Sequence, residues 1–135
     1  MSAIPLPRHD AIRGLLAHRP TFERPADELW VEIGVEERPD GSITVPSAAY
    51  SDEVLDFVRD LYDLGFVVPF DWPGWDEGRR LLDEPDRIAG ISLEDCVKLL
   101  TTVVRSARFS WGEGYHLDRG IFRLILERLE ALVDR

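Results

Sequence analysis

Two arginines end a long apolar segment of the chain. Arg105 and Arg108 are spaced one helical turn apart near the predicted end of a helix, where a cation meets the negative end of the helix dipole. Two guanidinium groups at this spacing can hold a carboxylate or a phosphate through paired hydrogen bonds. They can equally cap the last carbonyl groups or pair with an acid such as Asp71, Glu94 or Glu113, so both interpretations stay open.

Two tryptophans flank a proline in the segment Phe70–Trp75. Trp72 and Trp75 are expected either to plug the core around a turn, with Asp71 accepting backbone N–H groups at the start of a helix, or to wall a binding site. Trp111, which lies between arginines and glycines in a connecting segment, is the tryptophan that we expect to be exposed.

A histidine stands close to carboxylates at the predicted start of the last helix. His116 follows Glu113 and precedes Asp118, and such a set can move protons. No nucleophile accompanies it, and the sequence contains no HExxH, Walker A, GxSxG or GxGxxG motif. We therefore predict no catalytic residue, metal site or cofactor, and the sequence leans against an enzyme without excluding one.

Acidic residues recur at helical spacing at Glu53, Asp56, Asp60 and Asp63. They lack the turn and the carbonyl ligands of a calcium loop, so we interpret them as a solvated face or as a docking face for a basic protein. The formal net charge is −10, and eighteen acids but only five arginines lie between residues 22 and 86. This charge repels phosphate backbones, and a nucleic acid is not expected as a partner.

Length and composition predict one domain over residues 1–135, with an N-terminal helix and hairpin in 1–49 and a helical core in 50–133. Cys96 is the only cysteine, which excludes an internal disulfide and predicts a small core residue. The chain starts without the pattern of a signal peptide and has no apolar stretch of about 18–20 residues, so we expect a cytoplasmic protein away from membranes. Fifteen arginines against one lysine suggest a GC-rich bacterial genome.

The N-terminal third is expected to form a helix and a hairpin. His9–His18 has helical periodicity, whereas Trp30–Val35 alternates with period two, as strands do. Arg38–Gly41 has the proline and glycine of a tight turn, and Ser42–Val45 would return as the second strand.

The remaining sequence predicts helices. Ser51 caps one whose buried face includes Leu55 and Tyr62, and Gly65 ends it. A capping box at Ser92 begins another that reaches about Ala107. Further helices are expected over Trp75–Leu82 and His116–Val133, with a loop at Asp83–Gly90. The expected class is α+β but predominantly α-helical, with four to five helices and one small antiparallel β-hairpin.

The segment from about Tyr50 to Leu132 resembles a bacterial domain family of unknown function. The resemblance depends on four pieces: Phe70-Asp71-Trp72-Pro73-x-Trp75; Leu99-Leu100-Thr101-x-x-Val104-Arg105-x-x-Arg108-Phe109; an acid–glycine pair matched to Glu113-Gly114; and Gly120 with Ile125-Leu126-x-Arg128-Leu129. The first fifty residues lie outside it. Because the family has no assigned activity, the resemblance implies no substrate, cofactor or catalytic residue.

Two functions fit these observations. The first is a non-catalytic interaction domain, such as an adaptor, antitoxin or immunity-like protein, which binds a partner with a basic surface; a second copy of the chain is also left open as a partner. The alternative is a small-molecule anion-binding domain or small enzyme, with its site around the Arg105/Arg108 turn and Trp72/Trp75.

Overall fold

The computed structural model describes residues 4–33, 39–42, 47–106 and 120–133. We number its helices and strands in chain order. The α-helices are α1 His9–Leu16, α2 Arg19–Phe22, α3 Asp52–Asp63, α4 Asp76–Asp83, α5 Leu93–Ser106 and α6 Ile121–Val133. Short 3-10 helices span Ala26–Glu28 and Pro85–Gly90, and the strands are β1 Trp30–Ile33 and β2 Ser47–Tyr50.

Local capping signals set both ends of α3. The Ser51 hydroxyl accepts a hydrogen bond from the Val54 N–H at 3.3 Å, which satisfies one of the unpaired N–H groups of the first turn. Gly65 follows the helix with a φ of +85°, a conformation that costs glycine little. The Phe66 N–H then donates back to the Leu61 carbonyl at 2.8 Å, so the helix ends in a Schellman motif.

The predicted α+β class is wrong, since the described residues form a helical protein. The expected hairpin partner Ser42–Val45 is also wrong: Ser42 lies outside any strand, and the rest of that segment lies outside the described residues. β1 instead pairs antiparallel with β2, in the register Trp30↔Tyr50. A two-stranded pair of four residues a strand is too small to form a layer of its own, so helix packing determines the fold.

Three further expectations about secondary structure need correction. The first predicted helix stops at Leu16 and is followed by the separate turn α2, so the described residues contain six α-helices rather than four to five. The expected loop at Asp83–Gly90 contains a 3-10 helix at Pro85–Gly90. The described part of the last helix starts at Ile121, and the predicted start at His116 lies outside the described residues.

The C-terminal helix α6 lies at the centre of the packing. It contacts α1, α2, α5 and the Pro85–Gly90 helix, and it buries Ile121, Phe122, Ile125, Leu126 and Leu129. These positions recur at three- and four-residue intervals, as one face of a helix requires. Arg128 adds a polar tie, because its Nε–H donates to the Ile91 carbonyl at 2.7 Å.

Aromatic side chains join α2, α3 and α6. The Phe57 ring on α3 lies 4.6 Å from the Phe22 ring and 5.0 Å from the Phe122 ring, measured between centroids. Both pairs have the edge-to-face geometry that aromatic quadrupoles favour. The His18 ring meets Phe57 from a third side at 5.4 Å. Phe57 is fully buried, and through its contacts with Phe22 and Phe122 it connects α3 with α2 and α6.

The buried face of α3 is narrower than predicted. Val54, Phe57 and Leu61 are fully buried, whereas 51% of Leu55 and 43% of Tyr62 remain exposed. Leu55 and Tyr62 are seven residues apart and therefore lie on one side of the helix. Their expected burial is wrong because the core covers only the stripe through Phe57, so α3 presents two large apolar side chains to solvent.

Candidate functional site

A tight turn between α3 and α4 holds the two tryptophans. The Trp72 N–H donates to the Phe70 carbonyl at 2.9 Å, and the Trp75 N–H donates to the Trp72 carbonyl at 3.2 Å. The Asp71 carboxylate accepts the Gly74 N–H at 3.3 Å. A Cβ on Gly74 would lie 2.5 Å from the second carboxylate oxygen of Asp71, so a larger residue there would displace this carboxylate.

Helix α5 fixes the segment 66–69 that leads into this turn. The Thr101 side chain is fully buried. Its hydroxyl donates to the Phe66 carbonyl at 3.0 Å and accepts the Val68 N–H at 3.1 Å. The Phe66 carbonyl and the Val68 N–H, which belong to no sheet, thereby have hydrogen-bond partners inside the core. Thr101 thus joins α5 to the segment that precedes the tryptophan turn.

Lys98, one turn before Thr101 on α5, reaches the aromatic rings of the turn. The Phe70 and Trp75 rings meet edge to face, with centroids 5.8 Å apart. The Lys98 ammonium lies 5.7 Å from each of the two centroids, within the range of a cation–π contact. Its carboxylate partner is Glu94, one turn earlier, at the long distance of 3.8 Å.

These side chains line a cleft of about 470 Å³, which we name the aromatic cleft. Its charged residues are Asp71 and Lys98, and its apolar walls come from Ile4, Pro5, Pro69, Phe70 and Trp75. Ligand sites in proteins have volumes of roughly 300–1,000 Å³ and mostly apolar walls with few polar groups. The aromatic cleft has both properties.

A second cleft, the N-terminal cleft, shares Pro5 and Pro69 with the aromatic cleft and measures about 600 Å³. Its floor and walls are mainly apolar, and its charged residues are Arg8, Asp10 and Asp63. The end of α3 contributes to it, so this cleft adjoins the helix whose apolar side chains are exposed. The exposed Leu6 also lines it.

The structure brings some of the predicted site residues together. Asp71 and Trp75 share the aromatic cleft, whereas Trp72 and Arg105 are half-buried and line neither cleft. The other four candidates, Arg108, Trp111, Glu113 and His116, lie outside the described residues. The predicted arginine site as a whole therefore stays a prediction.

Sequence reasoning missed Lys98. It is the only lysine among sixteen basic residues and lies four residues after Glu94, which reads as an ordinary surface pair. Its position between two aromatic rings depends on the tertiary contact between α5 and the turn, which sequence spacing does not report.

The predicted acidic face is divided in the structure. The Asp60 carboxylate is held 2.6 Å from His18 Nε2, and Asp56 pairs with Arg59 at 2.9 Å. Glu53 lies 3.9 Å from Arg24. Asp63 has no ion pair within the part of the chain that the structure describes. The face is therefore less uniform than the spacing suggests.

Acidic residues surround Asp95 at the start of α5. Partial burial raises the pKa of Asp95, and the nearby charges of Glu94 and Glu77 raise it further, while Lys98 opposes them. Lys98 is thus a cation beside the aromatic cleft that offsets part of this negative charge.

The described ranges contain neither a cluster of metal ligands nor a membrane-spanning helix. Within residues 4–33, 39–42, 47–106 and 120–133, no three side chains from histidine, cysteine, aspartate and glutamate lie together as metal ligands would. No helix in these ranges has both the length and the hydropathy needed to cross a membrane.

Cys96 is a core residue, as its neighbours on α5 predict. It is fully buried, and burial raises the pKa of its thiol from 9.0 to about 12. We expect Ellman's reagent to leave the native thiol unmodified at neutral pH, because the reactive thiolate is absent, and to modify one thiol per chain in denaturant. Stoichiometric labelling of the folded protein within the mixing time would contradict this prediction.

The same pKa shift predicts that the folded state loses stability at alkaline pH. The folded state keeps its thiol proton above 9.0, where the unfolded state releases it, so ionisation favours unfolding. This contribution to stability is present below 9.0 and is lost as the pH rises toward about 12.

Comparison with known proteins supplies a family but no activity. No curated protein and no solved structure matches the chain significantly. A family profile matches residues 7–135, which confirms the resemblance to a family of unknown function. Its predicted boundary at about Tyr50 was wrong, because the match includes residues 7–49. The chain therefore belongs to the family of unknown function DUF6508.

Proposed function

We propose that this chain is a non-catalytic interaction domain that binds a basic protein through the outer face of α3. The observation that carries the proposal is the exposure of Leu55 and Tyr62 on one side of that helix, at 51% and 43%. Large apolar side chains grouped at the surface are typical of protein–protein contacts, and tyrosine is enriched among the residues that dominate binding energy.

Charge around these side chains supports a basic partner. The exposed acids Asp52, Asp56 and Asp63 lie on the same outer face of α3. Asp56 is compensated by Arg59, but Asp52 and Asp63 form no ion pair with any described residue. Complementary charge at the rim of an interface accelerates association and selects the partner.

The N-terminal cleft extends this surface beyond one helix. Asp63 and Leu64, at the end of α3, line the cleft together with Leu6, which is 52% exposed. A stable interface buries about 800 Å² on each partner, more than two side chains supply. The outer face of α3 and this cleft together supply a surface with an apolar centre and a charged rim.

The proposal is tested by capture from lysate of the source cells, at low and then at high salt, with four forms of the tagged protein. They are the unchanged chain, Leu55→Ala/Tyr62→Ala, Asp56→Asn/Asp63→Asn, and the control Asp76→Asn/Asp86→Asn, which removes two exposed acids elsewhere. We expect one stoichiometric basic protein to bind the unchanged chain and the control. The apolar variant should lose it, and the α3 acid variant should hold it less firmly.

Salt separates the two contributions. Rim charges act through a screened field with a Debye length of about 8 Å at physiological ionic strength, so high salt should weaken capture by the unchanged chain. Equal capture by all four forms, or no specific capture by any of them, would contradict the proposal. The substituted side chains are exposed, so far-UV circular dichroism should show all four folded.

A further inference from the structure

We propose that the aromatic cleft binds a free amino acid with an apolar side chain, through Lys98 and Asp71. This inference goes beyond the interaction proposed for α3 and does not depend on it. The two residues have opposite charges and line the same cleft, but they form no ion pair with each other in the structure. A zwitterion places a carboxylate and an ammonium group a few ångströms apart, and is the ligand whose charges match both.

Lys98 is positioned to accept a carboxylate. The two aromatic rings hold its ammonium group at 5.7 Å from each centroid, and only 24% of the side chain is exposed. Its partner Glu94 lies at 3.8 Å on the exposed side, and such an i,i+4 pair contributes only about 0.3–0.5 kcal/mol. A ligand carboxylate at hydrogen-bond distance forms a stronger contact than this long pair.

Asp71 is positioned to accept an ammonium group. One of its oxygens accepts the Gly74 N–H, which holds the carboxylate in place within the turn. The side chain is exposed, and no described cation pairs with it. Its second oxygen can therefore accept a hydrogen bond from a ligand amine.

The apolar walls of the cleft would contact the ligand's apolar side chain. Trp75 and Phe70 present aromatic surface, and Pro5, Pro69 and Ile4 complete the apolar lining. Aromatic side chains bind another ring by offset stacking or edge contact. A ligand with only one charge would contact the same apolar walls but would form no charged hydrogen bond with either Lys98 or Asp71, which lowers its affinity.

Three probes of the same shape test this inference: L-phenylalanine, 3-phenylpropionate and 2-phenylethylamine. All three have a phenyl group. L-phenylalanine carries both charges, 3-phenylpropionate only the negative charge and 2-phenylethylamine only the positive charge. Titration calorimetry measures affinity, and the indole N–H resonance of Trp75, assigned with Trp75→Phe, reports the location. We expect L-phenylalanine to bind about tenfold more tightly than either other probe and to shift that resonance.

Matched variants assign the charges. Lys98→Met keeps an unbranched apolar chain and removes the positive charge, so L-phenylalanine should bind this variant only as tightly as 2-phenylethylamine does. Asp71→Asn removes the negative charge, so L-phenylalanine should bind this variant only as tightly as 3-phenylpropionate does. Arg59→Met and Asp56→Asn, which change the exposed pair on α3, should leave binding unchanged. Amide spectra confirm that each variant is folded.

Three results would overturn the inference. They are equal affinity for the three probes, unchanged binding by the Lys98 and Asp71 variants, or no binding of L-phenylalanine up to about 10 mM, which corresponds to a very weak complex. None of these results bears on capture of a basic protein by α3, so the two proposals stand or fall separately.

Discussion

Replacing Thr101 with valine is expected to reduce the free energy of unfolding by about 2–3 kcal/mol, although the two side chains have nearly the same shape. The hydroxyl satisfies the Phe66 carbonyl and the Val68 N–H within the core. Valine leaves both backbone groups buried without a partner, and each such group costs about 1–3 kcal/mol. Urea denaturation followed by circular dichroism measures the change.

Thr101→Ser is the matched control. Serine keeps the hydroxyl and loses one buried methyl group, so we expect a loss of about 1 kcal/mol. A smaller loss for valine than for serine would contradict the assignment of Thr101 as the tie between α5 and the segment before the turn. Because Phe66–Val68 leads directly into the aromatic cleft, the valine variant should also shift the Trp75 indole resonance, and the serine variant should leave it in place.

Both ends of α3 and the start of α5 were predictable because they depend on local chemistry. Ser51 and Ser92 each have a hydroxyl that accepts an N–H three residues later, and the structure contains both bonds. Gly65 adopts the positive φ that a Schellman ending requires. Such signals lie within a few residues of the feature that they specify, so sequence alone conveys them.

Strand pairing was not predictable in the same way. Period-two alternation marks Trp30–Ile33 as a strand, and the turn residues at 39–41 are correct for a reversal, with Gly41 at a φ of +87°. Neither signal specifies which residues return opposite β1. The partner starts after Pro46, at Ser47, so the proline precedes the strand instead of ending it.

Exposure on α3 and the charge in the aromatic cleft depend on tertiary contacts. An apolar arc on a helix does not show how much of it the core covers, and here Phe57 is covered while Leu55 and Tyr62 are not. Lys98 likewise reads as a surface residue until the tryptophan turn is placed against α5. The residues on which the two proposals depend, Leu55, Tyr62 and Lys98, are thus ones whose surroundings cannot be read from neighbouring sequence.

Replacing Phe57 with alanine is expected to have the largest effect on the fold, a loss of about 3–5 kcal/mol. The ring is fully buried and makes edge-to-face contacts with Phe22 and Phe122. Its removal leaves a cavity at the junction of α2, α3 and α6 and also removes the aromatic pairs. Because domains have a stability of about 5–15 kcal/mol in total, this variant should unfold at a much lower urea concentration.

Two variants separate this effect from a general sensitivity of α3. Phe57→Leu keeps most of the apolar volume and should lose clearly less stability than alanine, since the cost of a large-to-small change rises with the volume of the cavity that it leaves. Leu55→Ala, two residues earlier on the exposed side, should change the unfolding free energy by less than about 0.5 kcal/mol. A comparable loss from Leu55→Ala would mean that Leu55 is buried in the folded protein, and the interaction surface proposed for α3 would lose its apolar centre.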